Sequence, residues 1–451
     1  MKLKLPLFRY TLQVISLVSF VFLLTCLTYP LGSENQLLQW FSWFDPWLLL
    51  SHLRWQQEIP SWVELPLLIL MATLVWGRVF CGWVCPFGAF LMLIDKMGRL
   101  FFKAVPVIRI KGLYFIQPVR YYWLFFLVIV FGLGSNWVLF FTPFVLLSHE
   151  IIRTLQGDVP WALAGISVAT LMFSRLWCSV LCPTGVLLSA VARLRLFRYQ
   201  IAGKCVHCEQ CAQACSVGAA VAASGIAKDG CLACGDCGRV CPTKSIKWRP
   251  ATRNDSKVEA APPDEVAATS HPSSRRQFLQ AAFAAVMAVA LWQKTVTAAK
   301  KVLRPPGALT ETQFTAVCNR CGRCVMVCPG KALRPMTLSD GIANFETPYI
   351  IPRKNRCDLC LACQEVCPTG AIAKVPLERV RMGQASIDKK RCIAWNENKM
   401  CLICGEQCPV AAIEADEQHR PAVLTEKCAG CGSCENGCPV AGEAAIRVLP
   451  K

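Results

Sequence analysis

The feature that most restricts this chain is the spacing of its cysteines. Twenty-four of the 29 fall into six groups of four. Two groups lie mid-chain: Cys205, Cys208, Cys211, Cys215 and Cys231, Cys234, Cys237, Cys241. Four lie toward the C-terminus: Cys318, Cys321, Cys324, Cys328; Cys357, Cys360, Cys363, Cys367; Cys392, Cys401, Cys404, Cys408; and Cys428, Cys431, Cys434, Cys438. Five of the six read C-x2-C-x2-C-x3-C, usually with Pro after the last Cys. Zinc needs only two pairs per tetrahedral site, so a third Cys at the same step has no use there. Neighbouring loop cysteines repeated six times also make poor disulfide staples.

The run is the bacterial signature for [4Fe–4S] clusters, and six clusters are expected. Three cysteines on one tight loop cap three irons of a cubane. The fourth, beyond a bend fixed by Pro, reaches the other cluster of a pair. Cys205, Cys208 and Cys211 should therefore bind with Cys241, and Cys231, Cys234 and Cys237 with Cys215. Among the last four groups two pairings stay open: first with second and third with fourth, or first with fourth around second with third. Cys215 is followed by Ser216 rather than Pro. The fifth group has Ile393–Met400 inserted after its first Cys, which makes Cys392 the least regular ligand.

Residues 1–199 obey a different rule. Apolar stretches run over about Phe8–Tyr29, Trp62–Phe80, Val119–Phe141 and Trp161–Trp177, each near the ~20 residues that cross a bilayer. The chain is 54% hydrophobic and 17% charged, with a mean hydropathy of +0.40. A soluble domain averages about 25% charged. Basic residues gather before the first stretch (Lys2, Lys4, Arg9), between the second and third (Lys96, Arg99, Lys103, Arg109, Lys111, Arg120) and after the fourth (Arg193, Arg195, Arg198, Lys204). The other two loops hold Arg54 and Arg153 with five acidic residues. The positive-inside rule puts both ends of this bundle in the cytoplasm. Much of the net charge of +19 is thus a topology signal, and nucleic acid is not needed to explain it.

The expected four-helix bundle contains a two-helix internal repeat. Phe44–His52 reappears as Phe141–His149, and Arg78-Val-Phe-Cys81-Gly-Trp-Val-Cys85-Pro86 as Arg175-Leu-Trp-Cys178-Ser-Val-Leu-Cys182-Pro183, both at an offset of 97 residues. Halves running in the same sense are related by an axis along the membrane normal. His52 and His149 then fall at the outer face and the Cys-x-x-x-Cys-Pro pairs at the inner face. Cysteine also packs well as a small apolar residue, which suits the isolated Cys26. The i, i+4 pairs Cys81, Cys85 and Cys178, Cys182 read instead as a thiol relay or as one four-thiolate site shared across the axis. His52 and His149 read as interfacial residues or as acceptors for protons of a quinol.

Residues 251–273 are polar and Pro-containing and read as a linker. Ser274-Arg275-Arg276-Gln277-Phe278-Leu279, followed by an Ala-rich apolar stretch, reads as a twin-arginine signal or anchor over 274–300. Such a signal would export the last ~150 residues with clusters already inserted. The domain sequence is then a membrane domain (1–199), a cytoplasmic two-cluster ferredoxin (200–250), the linker, the signal segment and a periplasmic four-cluster ferredoxin (301–451). The ferredoxin domains are expected to be α+β.

On these motifs, residues 1–250 resemble NapH-type membrane quinol dehydrogenase components. Residues 274–451 are similar to the NapG/MauM-type periplasmic ferredoxins. The resemblance implies electron transfer from the membrane quinone pool toward a periplasmic reductase or cytochrome partner, commonly periplasmic nitrate reductase. No Cys-x-x-Cys-His occurs, so no c-type haem is expected. A maturation or redox-maintenance factor using thiol exchange is the competing reading, and electron flow in reverse into quinone is a third.

Overall fold

The computed structural model describes residues 4–32, 34–101, 119–201, 205–221, 225–226, 230–251, 302–341 and 344–450. The twin-arginine segment and nearly all of the linker lie outside the described residues. The chain divides into two compact units, Met1–Leu24 with Trp40–Ala290 and Thr25–Gln39 with Leu291–Lys451.

The first unit begins with α1 (Lys4–Thr25), followed by α2 (Glu34–Trp43), whose first half belongs to the second unit. Then come α3 (Pro46–Gln56), α4 (Glu64–Trp76), α5 (Val79–Trp83), α6 (Pro86–Phe101), α7 (Val119–Gly132), α8 (Trp137–Phe140), α9 (Pro143–Leu155), α10 (Trp161–Met172) and α11 (Pro183–Val191). Proline sets the starts of α3, α6, α9 and α11, where its fixed φ suits the first helical position. Asp45 caps α3 by accepting from the Trp47 amide at 3.1 Å. The repeat is visible in the helices. Pro46, Glu64 and Pro86 start helices, and Pro143, Trp161 and Pro183 start their counterparts at the same offset of 97 residues.

Of the four expected crossings, α1 is the one helix among the described residues long and apolar enough to cross a membrane. α4, α7 and α10 are shorter, at 13, 14 and 12 residues. The apolar stretches overstate helix length because breaks fall inside them. α4 ends at Gly77, whose φ of +81° leaves the helix. α10 ends at the extended Phe173, and Arg175 follows at a φ of +54°. Trp47, Leu48, Leu127, Val138 and Leu139 form a core cluster ringed by Trp43, Trp62 and Trp123. Thr184 joins the repeats by donating to Asp45 at 3.0 Å. Large apolar side chains also point outward: Phe8, Ile15, Val18 and Phe22 from α1, Leu68 and Met71 from α4, and Trp161 and Val168 from α10.

The first unit closes with a small α+β module. β1 (Phe197–Ile201), β2 (Ala220–Val221), β3 (Gly225–Ile226) and β4 (Ile246–Pro250) form two antiparallel pairs, β1 with β4 and β2 with β3. The second unit repeats this plan. β5 (Leu333–Pro335) pairs with β6 (Pro348–Ile350), β7 (Gly383–Ile387) with β10 (Ile446–Pro450), and β8 (Ile413–Ala415) with β9 (Pro421–Val423), all antiparallel. Strands this short cannot carry a core alone. The cysteine loops between them complete it, and Cys318, Cys321, Cys324, Cys428, Cys431 and Cys434 are buried with the aliphatic residues.

Candidate metal centres

Each cysteine group is shaped by one local device. A four- or five-residue helix starts at the residue before the third Cys: Gln210, Asp236, Arg323, Ala362, Ile403 and Ser433. In five groups the preceding residue is left-handed, namely Glu209, Gly235, Gly322, Leu361 and Gly432. That bend turns the first two thiols inward beside the third. The fourth Cys then leaves the helix in an extended conformation, as at Cys215, Cys241 and Cys328.

The fourth thiol reaches the neighbouring group in every pair. Cys205, Cys208 and Cys211 line one cavity with Cys241. Cys237 interacts electrostatically with Cys231, Cys234 and Cys215. In the second unit, Cys324 feels Cys321, Cys318 and Cys367, while Cys357, Cys360 and Cys363 share a cavity with Cys328. Cys392, Cys401 and Cys404 line a cavity with Cys438, and Cys428, Cys431 and Cys434 line one with Cys408. Of the two pairings open in the sequence, the structure adopts first with second and third with fourth. Cys392 takes its place despite the insertion.

Backbone amides approach the sulfurs. Ala219, Ala332 and Ala412 donate to Cys215, Cys328 and Cys408 at 3.2, 3.3 and 3.2 Å. Such donors favour thiolate and tune cluster potential. Burial pushes the thiols of Cys234 and Cys357 up to about 12 and those of Cys318 and Cys404 up to about 11. Metal ligation requires the thiolate, so assembly releases protons and acid opposes it. Among the described residues, no three His, Cys, Asp or Glu side chains stand together as a site for a single ion. A cubane has a different requirement, since each thiolate binds its own iron and the sulfurs stand farther apart.

The two Cys-x-x-x-Cys-Pro segments meet in the first unit. Cys85 lies in electrostatic range of Cys81 and Cys178, and Cys182 in range of Cys178, Cys81 and Cys85. All four are buried, at 5–8% exposure. The loop of the second mid-chain group packs directly on α5. A Cβ at Gly82 would stand 2.7 Å from the Leu232 carbonyl oxygen. Trp83 Nε1 donates to the Ala233 carbonyl at 3.3 Å, and Arg9 Nη1 to the Cys234 carbonyl at 3.0 Å. Arg9 also pairs with Asp236 at 3.2 Å. Gln13 ties α1 to the same spot by donating to the Gly82 carbonyl at 2.6 Å. Sequence reasoning counted Arg9 only as a topology charge and missed Gln13 and Trp83. The signal available was that Arg9 and Gln13 are polar residues on one face of an apolar helix.

The two histidines have unlike surroundings. His52 is half-buried against the edge of the Trp62 ring, 5.5 Å between centroids. His149 is buried, with Nδ1 3.1 Å from Glu150 Oε1 and its ring against Phe140.

Comparison with known proteins agrees with this chemistry. Residues 59–104 and 160–201 match the family described as "4Fe-4S binding domain". Residues 317–371 match "4Fe-4S dicluster domain". The chain is 35% identical over 201 residues to the ferredoxin-type protein NapG of Escherichia coli (strain K12), covering 40% of this chain and 86% of that protein. It is 36% identical over 164 residues to the methylamine utilization ferredoxin-type protein MauM of Methylorubrum extorquens, covering 34% of this chain and 74% of MauM. It is also 34% identical over 165 residues to NapG of Haemophilus influenzae, covering 33% of this chain and 58% of that protein. No solved structure matches it. The chain belongs to the NapG/MauM family of ferredoxin-type iron–sulfur electron-transfer proteins.

Proposed function

We infer that this chain fuses a NapH-type membrane quinol dehydrogenase component to its NapG/MauM-type ferredoxin. In this reading it passes electrons from membrane quinol toward a periplasmic acceptor, with periplasmic nitrate reductase as the terminal enzyme. The 24 cysteines of the six groups hold six [4Fe–4S] clusters, two on the cytoplasmic side and four in the periplasm. Bound there, each cluster supplies a one-electron site. Residues 1–199 are the membrane domain. The outward apolar side chains of α1, α4 and α10 support that reading, because large exposed apolar side chains along several helices suit a surface that faces lipid. The segment 274–300 directs the C-terminal ferredoxin across the membrane.

One observation carries the reading most: the contact between α5 and the Cys231–Cys237 loop. It brings α5, which carries Cys81, against the loop that carries Cys231, Cys234 and Cys237, and this supports an electron path between them. A quinol gives up two electrons and two protons. The electrons leave singly, and His52 and His149 accept the protons, with Glu150 holding the His149 ring through Nδ1. Thiol–disulfide exchange with a partner, the basis of the maturation reading, needs accessible thiolates, and burial of all four thiols weighs against it.

The test uses the full-length protein in anaerobic vesicles given a reduced short-chain quinol. Visible absorbance of the clusters should bleach within seconds. The double variant His52→Ala/His149→Ala should slow bleaching by an order of magnitude or more. No bleaching in the parent would overturn the reading.

A further inference from the structure

Two buried guanidiniums sit where the repeats join, beside Cys178 of the second Cys-x-x-x-Cys-Pro segment. Arg78 is fully buried and Arg175 is 4% exposed. They occupy equivalent places in the repeat, each just past the break that ends α4 or α10. Arg78 crosses between the halves, donating from Nη2 to the Cys178 carbonyl. Both arginines act electrostatically on Cys178. Among the described residues, Nε and Nη1 of Arg78 and of Arg175 have no hydrogen-bond partner. A buried charge with unused donors is costly unless an anion stands beside it.

Other groups point the same way. Cys85 and Cys182 immediately precede α6 and α11, so the two helix N-termini face the thiols. Gly88 and Gly185 donate their amides to Cys85 Sγ and Cys182 Sγ at 3.4 and 3.3 Å. A Cβ at either glycine would stand 2.7 Å from the carbonyl oxygen of Cys81 or Cys178, so the absence of a side chain lets each loop close. Each of the two "4Fe-4S binding domain" matches contains only two of these cysteines. Neither match alone can supply four ligands.

We propose that Cys81, Cys85, Cys178 and Cys182 together hold one further iron–sulfur cluster, each repeat giving half the site, with Arg78 and Arg175 as its counter-charges. Four thiols lose four protons to solvent as they bind. A cluster core of charge 2+ with four thiolates nets −2, and two guanidiniums bring the buried assembly to zero. Arg78 and Arg175 are thus positioning residues for charge rather than ligands. The site stands apart from the quinol reading, because metal content is measured without turnover.

The experiment compares anaerobically purified full-length protein with Cys178→Ser/Cys182→Ser. The variant should lose about two to four irons per chain with a matching loss of sulfide, and one paramagnetic centre should vanish on stepwise reduction while the others remain. Unchanged iron and sulfide, as for a thiol relay, would overturn the proposal. So would loss of a single metal ion without sulfide. Arg78→Gln and Arg78→Lys keep all four thiols in case the serine variant folds poorly. Arg78→Gln should lower the reduction potential of that centre and Arg78→Lys should restore it; an unmoved potential in both would overturn the counter-charge role.

Discussion

Arg320 and Arg323 give the first C-terminal cysteine group a character the others lack. They sit between its ligands and are 1% and 2% exposed. Arg320 donates to the carbonyls of Cys318 and Phe345, both at 3.0 Å. Burial pushes its guanidinium down to about 10, so it stays charged at neutral pH. The second group carries acidic residues instead, Asp358 and Glu365. Positive charge beside a cluster favours the reduced form. Arg323→Gln should therefore lower the potential of the cluster held by Cys318, Cys321, Cys324 and Cys367 by on the order of 60 mV, tenfold in the one-electron equilibrium. A redox titration followed by electron paramagnetic resonance checks this, and an unchanged potential would contradict it. At this scale the sequence was informative about membership of each group. The spacing alone assigned Cys241 to Cys205, Cys208 and Cys211, because a fourth thiol beyond a bend points away from its own loop. It could not choose the pairing of the last four groups, which depends on how β5–β6 and β7–β10 fold back.

Among the elements, the repeat was legible and the helix lengths were not. Hydropathy averages over Gly77-Arg78 and Ser174-Arg175, so two breaks disappeared into apolar runs. Those breaks make α4 and α10 about 20 Å and 18 Å long at 1.5 Å per residue, short of the ~30 Å of hydrocarbon. The turns that follow carry the thiols. Proline-started α6 and α11 were also unread as helices, since both lie beyond the ends of the four apolar stretches and Lys96 and Arg99 of α6 counted as loop charges. The contact of α5 on the Cys231–Cys237 loop has no sequence signal beyond a small residue at position 82. It gives a direct prediction. Gly82→Val must displace the Leu232 backbone, at a cost of about 1–3 kcal/mol for overpacking. Thermal unfolding should begin earlier in the first unit, and quinol-driven reduction should slow while the cluster count holds. Unchanged stability and rate would contradict the contact.

For the whole molecule, the charge changes meaning once cofactors are counted. With the six proposed clusters oxidised at −2 each, the formal +19 falls to about +7, and the inferred further cluster takes it to about +5, because Arg78 and Arg175 are already counted in the +19. These three relatives cover 40% or less of the chain, so the helical half rests on its two matches to the "4Fe-4S binding domain" family and on its own residues: exposed apolar side chains, a repeat and four converging thiols. The central claim is that nearly every cysteine serves an iron–sulfur centre. Its most direct test is the count of iron and acid-labile sulfide per full-length chain after anaerobic purification. The account predicts about 24 of each from six cubanes, rising toward about 28 if the membrane thiols hold another cubane. Zinc in place of iron, or iron without matching sulfide, would contradict it.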